Sequence, residues 1–219
     1  FLVSFEWIYV YIYENMREGG DLHKHLRCQK KRRKRYGSYS GRGQLKNRVS
    51  IDERPPVVDL KNRFGDWEAD TVTGQQTGPR LVTLVERKSR FTLIGLAKDK
   101  SAESVTQAII RMLQGYHDRV KTITYDNGKE FAGHEDIAKL SGSKAYFAHP
   151  YSSWERGLNE NTNGLLRQYF PKGSDFSVLN NSDIEAATVK LNNRPRKCLG
   201  FKTPNQVFLK INPPVALVS

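Results

Sequence analysis

Three acidic residues, Asp70, Asp126 and Glu160, sit where their carboxylates could do chemistry on a phosphate ester. Asp70 lies inside Trp67-Glu-Ala-Asp-Thr-Val-Thr73, a stretch rich in Thr, Val and aromatics that reads as a strand closed by Gly74. A carboxylate in mid-strand is disfavoured by propensity, and in a central strand it must be paired or metal-bound. Asp66 and Glu68 alternate with it, and the pattern alone leaves open which of the three is a ligand, or whether all three face water. Asp126 closes a short apolar strand immediately before Asn127-Gly128. A side chain there emerges toward a cleft, or serves as an ordinary turn residue. Glu160 stands near the start of a helical stretch, "RGLNENTNGLLRQYF" (156–170). Leu158, Leu165, Leu166, Tyr169 and Phe170 gather on one side of that helix, and Glu160, Asn163, Gly164 and Arg167 define another. The plain alternative for Glu160 is a first-turn residue that complements the helix dipole, worth about 0.3–1 kcal/mol.

Oxygen ligands from two strands and a helix suit Mg²⁺, which keeps waters and takes phosphate oxygens as its other ligands. Two such ions about 3.5–4 Å apart activate an attacking water or hydroxyl and stabilise a leaving oxygen. The residues therefore point to a metal-dependent nuclease or a strand-transfer enzyme.

Charge supplies the substrate. The 219 residues carry a formal net charge of +13, and a chain so basic attracts polyanions, nucleic acid first. Residues 1–50 hold +8 of it, and between Leu22 and Arg48 there are eleven Lys/Arg and no Asp or Glu. The run Lys30, Lys31, Arg32, Arg33, Lys34, Arg35 reads as a solvated arm that binds DNA phosphates in a salt-sensitive, sequence-independent way. With 37% hydrophobic and 27% charged residues the chain is globular. The two cysteines, Cys28 and Cys198, indicate no disulfide framework and a reducing compartment. His23, His25 and Cys28 lack a partner set at finger spacing, which argues against zinc. The apolar start, Phe1–Tyr13, contains Glu6, lacks a basic leader and is too short to span a bilayer. The expected location is the cytoplasm, on DNA when bound to it. Because the first residue is Phe, an upstream portion is expected.

The elements that must position these acids follow from periodicity. Residues 1–20 form an aromatic-rich helical piece, 21–62 a basic linker with the breaker Pro55-Pro56, 63–208 a folded domain, and 209–219 a tail. Within the domain, Leu81–Glu86 and Phe91–Ala97 make a hairpin, and Ser101 caps a helix with Val105, Ala108, Ile109 and Met112 at helical spacing. Lys121–Tyr125 and Ala145–Ala148 are short strands around a helix near His134–Leu140, and helices Glu155–Phe170 and Ser182–Asn193 follow. The order gives a mixed five-stranded α/β sheet flanked by helices.

Four stretches carry a resemblance: "GDWEADTVTG" (65–74), "TITYDNGKEFAGHE" (122–135), "AHPYSSWERGLNENTNGLLRQYFPKGSDF" (148–176) and "LNNRPRKCLGFKTPNQVF" (191–208). Over about residues 20–208 the chain resembles the catalytic region of bacterial insertion-sequence transposases of the IS-thirty family, within the DDE transposases and integrases of ribonuclease H-like fold. The resemblance implies that Asp70, Asp126 and Glu160 are the catalytic, metal-binding acids, which settles the choice among Asp66, Glu68 and Asp70. It implies two Mg²⁺ ions, replaceable by Mn²⁺, cleavage of a transposon end to free a 3′-OH, and transfer of that hydroxyl to target DNA. Its implied partners are double-stranded DNA, both transposon ends and target, and further copies of the chain, with no membrane. It also implies that Trp7–Tyr13 is the tail of an N-terminal DNA-binding helical region. Arg156, Arg167 and Lys172 are expected to contact DNA, with Asn127, Asn163 and His149 supporting the acids. The rival expectations are a shortened DNA-binding fragment without activity and a structure-selective nuclease of the same fold.

Overall fold

In the computed structural model the described residues are 3–25, 45–75, 78–150 and 152–211. The basic run Lys30–Arg35 and Cys28 lie outside them, as does most of the 209–219 tail. Two compact units divide the chain, residues 1–42 and 43–219.

In the first unit, helix α1 (Phe5–Arg17) starts at Ser4, whose hydroxyl accepts from the Trp7 amide. Neither this helix nor any other among the described residues is long and apolar enough to cross a membrane.

The second unit is built on five strands: β1 (Asp66–Thr73), β2 (Arg80–Glu86), β3 (Thr92–Ala97), β4 (Thr122–Tyr125) and β5 (Lys144–Phe147). Their order across the sheet is β3-β2-β1-β4-β5. The first three run antiparallel as a meander, and β4 pairs parallel with both β1 and β5. The parallel pairings require crossovers, which α2 (Ala102–Leu113) and α3 (His134–Ser141) supply. Ser101 caps α2 as its sequence indicates. Helices α4 (Gly157–Leu166), α5 (Asn181–Asn192) and α6 (Pro204–Leu209) complete the unit.

Alternation along β1 gives each sheet face its own core. Trp67 and Ala69 join Val82, Leu84, Val105, Ile109 and Phe131 on the α2–α3 side. Val72 joins Leu81, Leu166, Phe170 and Leu191 on the α4–α5 side. Full burial of a side chain such as Leu84 stabilises by roughly 1.5–3 kcal/mol. Asp66, Glu68 and Asp70 share the α4–α5 face with Val72, so three carboxylates line one edge of that core.

Two features differ from the sequence reading. The basic linker expected over 21–62 is divided: the unit boundary falls after Arg42, and from Leu45 onward the chain packs on the sheet. Val58 and Arg54 are buried, Ser50 bridges to Phe147, and Arg54 donates to the Thr124 hydroxyl. Apolar contacts and buried hydrogen bonds there outweigh the solvation of the local charges. The helix expected over 155–170 is regular only for Gly157–Leu166, after a 3₁₀ turn at Ser153–Arg156. At its far end Gln168 and Tyr169 bond back to Leu165 and Leu166, tightening the last turn before Pro171.

Candidate active site

The three acids of β1 meet different fates. Asp66 accepts both arms of Arg63 at 2.8 Å and the Thr122 hydroxyl at 2.8 Å. Glu68 accepts from Arg87 at 2.6 Å and from the Asn159 backbone amide at 3.3 Å. Burial pushes the Glu68 carboxyl above the usual carboxylate range, against the pull of Arg87. Both acids are about 1% exposed, with their oxygens consumed inside the fold. Asp70 is the outermost of the three, its side chain 21% exposed.

Asp70 is held by light, well-directed contacts. One oxygen accepts from the Thr71 amide at 2.9 Å, the other from Asn163 Nδ2 at 2.9 Å. Thr83 stands directly across the β1–β2 ladder from Asp70. Its hydroxyl donates to Asn163 Oδ1 at 3.2 Å, which turns the amide so that its NH₂ meets the carboxylate. Burial is the largest influence on the Asp70 carboxyl and raises it; Arg156 pulls it down, and the charge of Asp126 raises it further.

Asp126 leaves the end of β4 beside β1. One of its oxygens accepts from the Gly128 amide at 2.8 Å, closing an Asx turn. A Cβ at position 128 would lie 2.5 Å from a Glu130 oxygen and 2.8 Å from Asp126 Oδ1, so a larger residue there would displace these carboxylates. Glu130 in turn accepts from the Thr71 hydroxyl at 3.1 Å, so the loop after β4 is tied to the residue beside Asp70.

Between Asp70 and Asp126 lies the Arg156 guanidinium. Its Nη1 is 3.4 Å from Asp70 Oδ1 and its Nη2 is 3.5 Å from Asp126 Oδ2. Nη1 also donates to the Ala69 carbonyl at 3.3 Å, and the buried Nε has no hydrogen-bond partner. Glu160 is exposed, one helical turn before Asn163, and makes no hydrogen bond or ion pair to either aspartate. Among the described residues no three His, Cys, Asp or Glu side chains are gathered closely enough to hold a metal ion. The structure thus brings Asp70 and Asp126 to one cation and does not gather Glu160 with them.

A family model described as "Integrase core domain" matches residues 62–153, the stretch that contains both aspartates. The chain is 49% identical over 211 residues to the transposase for insertion sequence element IS4351 of Bacteroides fragilis, covering 96% of this chain and 65% of that one. It is 39% identical to the transposase for IS1086 of Cupriavidus metallidurans, covering 95% and 63%. To transposase InsI for IS30A of Escherichia coli it is also 39% identical, covering 94% and 55%. The chain is a relative of the IS-thirty family transposases.

It spans two thirds or less of the length of those relatives. Among solved structures, the catalytic core domain of BIV integrase matches with a TM-score of 0.53 at 22% identity, covering 68% of this chain and 95% of that one. A simian T-cell lymphotropic virus intasome chain matches with 0.54 at 24% identity, covering 68% and 56%. The fold of the second unit is therefore that of the integrase catalytic cores, ribonuclease H-like, as the transposase resemblance implied.

Within this transposase relative the other expected site residues are distributed unevenly. Asn127 donates to the Ala148 carbonyl and accepts from Arg48, so the far end of the basic segment reaches the site loop. His149 is clamped, Nδ1 2.8 Å from Glu155 and Nε2 2.9 Å from Asp52; these two hydrogen bonds raise its pKa. Arg167 spends its donors on the carbonyls of Thr73, Phe170 and Pro171 and ties α4 to the end of β1. Lys172 is exposed. The sequence reading missed Thr83, Glu130 and Arg48. A threonine two residues into an apolar strand carries no signal, whereas an acid four residues past Asp126 was visible.

Proposed function

We propose that this chain is the catalytic portion of an insertion-sequence transposase, which cuts DNA at a transposon end and joins the freed 3′-hydroxyl to target DNA. The observation that carries the reading is the convergence of Asp70 and Asp126, from two paired central strands, on a single positive group. Their free edges are hard oxygen donors facing the same point, a set that fits a divalent cation. Asp70 and Asp126 would hold it, with Glu160 as the third acid available from α4. Mg²⁺, or Mn²⁺ in its place, supplies activation of the attacking water or hydroxyl and stabilisation of the leaving oxygen.

The chain's own residues supply position. Thr83 and Asn163 fix the Asp70 carboxylate, and Gly128 fixes that of Asp126, so neither must reorganise when charge arrives. The Asn127 loop, braced by Arg48 and Ala148, sets the angle at which Asp126 leaves β4. Exposed Lys172 and the run Lys30–Arg35 are proposed to hold the DNA backbone, with further copies of the chain on paired ends.

The test is nicking of supercoiled plasmid and strand transfer of a pre-cleaved end in Mg²⁺. Asp70→Asn, Asp126→Asn and Glu160→Gln are each expected to abolish both. Unchanged activity in all three would overturn the assignment, salt-dependent DNA binding without cleavage would favour a non-catalytic binding fragment, and cleavage of junctions without joining would favour a nuclease. Replacing Lys30–Arg35 with Ala should weaken binding to all sequences alike and flatten its salt dependence.

A further inference from the structure

Arg156 is poorly explained as a structural ion pair. Its two charged contacts, 3.4 and 3.5 Å, are both longer than the roughly 2.7–2.9 Å of a charge-assisted hydrogen bond. It also donates to the Ala69 carbonyl at 3.3 Å, and its Nε is buried without a partner. Yet it sits where two carboxylates face each other, and without a cation there Asp70 and Asp126 would repel. It belongs to the turn that leads into α4, four residues before Glu160. Beside it opens a cavity of about 610 Å³ lined by Asp126, Asn127, His149 and Ser152, large enough to receive a displaced guanidinium.

We propose that Arg156 is a place-holding cation: its guanidinium neutralises Asp70 and Asp126 in the metal-free protein and must leave their shared point for a divalent ion to bind. The inference rests on the reading of Asp70 and Asp126 as metal-binding acids. Loose contacts suit this task, because a guanidinium seated by two short bidentate pairs would compete too well. Arg156 is on this view a positioning residue that acts through the two acids, and it sets how much metal is needed to load the site. The side chains that face it are Asp70 from β1 and Asp126 from the end of β4, with Asn163 of α4 adjoining through Asp70.

The experiment is Mn²⁺ binding to the whole chain without DNA, followed by the loss of the free-ion electron paramagnetic resonance signal and by calorimetry. Arg156→Gln should bind Mn²⁺ about tenfold more tightly than wild type, because it removes a positive charge within 3.5 Å of both acids. Arg156→Lys keeps the charge and should stay near wild type, which separates charge from fold. A structural role alone would leave affinity unchanged or weaken it. If Asp70→Asn and Asp126→Asn lose the ion while Arg156→Gln binds it no better than wild type, the place-holder role is overturned and the metal site stands. If neither wild type nor Arg156→Gln binds Mn²⁺ in a manner sensitive to Asp70 and Asp126, both readings fall.

Discussion

Two arginines in this fold each stand between a pair of carboxylates, and they do so in opposite ways. Arg87 reaches Glu68 at 2.6 Å and Asp59 at 3.1 Å, donates to the Val58 carbonyl, and has a side chain 4% exposed. Arg156 stands 3.4 and 3.5 Å from Asp70 and Asp126, with a side chain 12% exposed. Glu68 and Asp70 are two residues apart on one strand and point to one face. The difference teaches that the acid alone does not mark function. An acid saturated by short bonds is part of the scaffold, whereas one balanced by a loosely held charge is available to another cation.

Removing the metal acids should give the largest effect. Asp70→Asn and Asp126→Asn should each lower strand transfer by at least about a thousandfold, equivalent to roughly 4 kcal/mol of barrier. The same Asp70→Asn protein should melt no lower than wild type without metal. Burial raises the Asp70 carboxyl, so its folded-state pKa lies above the unfolded one. Holding that group ionised therefore costs stability once the pH exceeds the unfolded value, and Asn removes the cost. A lower melting temperature would show that Asp70 is scaffold after all.

Arg87→Leu should reverse the pattern. It strands Glu68 in the interior, and loss of one partner of a buried pair costs about 3–5 kcal/mol, measurable by urea unfolding. Arg156→Leu should cost far less, about 1 kcal/mol, and Mn²⁺ should restore it. Equal losses for the two arginines would erase the distinction between them.

Asn163→Ala removes the donor to one Asp70 oxygen and should cost about 1 kcal/mol in stability, with a drop in turnover of about tenfold. The smallest effect is the clamp on His149. Its pKa is raised in the fold by Glu155 and Asp52, so its stabilisation is fully present below the unfolded value of about 6.5 and lost as pH rises through the folded value. The melting temperature of His149→Gln should thus fall below wild type in mildly acidic buffer and converge with it in alkaline buffer.

The sheet was readable in the sequence because short apolar runs such as Leu81–Glu86 and turn residues such as Asp126-Asn127-Gly128 leave little freedom in assigning strands. The α2 cap at Ser101 was readable for the same local reason. What separates Asp70 from Asp66 and Glu68 was not, because those acids share a face and a spacing. Their partners, Arg63, Arg87 and Arg156, lie at unrelated distances along the chain, and only the transposase resemblance chose among them. Nor did composition show that residues 45–62 belong to the sheet, since Arg54 in that basic stretch is buried by a hydroxyl on β4.

The hydrogen bond from Asn163 to Asp70 joins residues 93 positions apart. During synthesis β1 and β4 leave the ribosome before Arg156, Glu160 and Asn163, all of which arrive within one eight-residue stretch. A chain halted before that stretch lacks the guanidinium that lies between the two aspartates, the amide on Asp70 and Glu160. The groups that surround Asp70 and Asp126 are therefore completed in one step, when that stretch is made and packs on the strands.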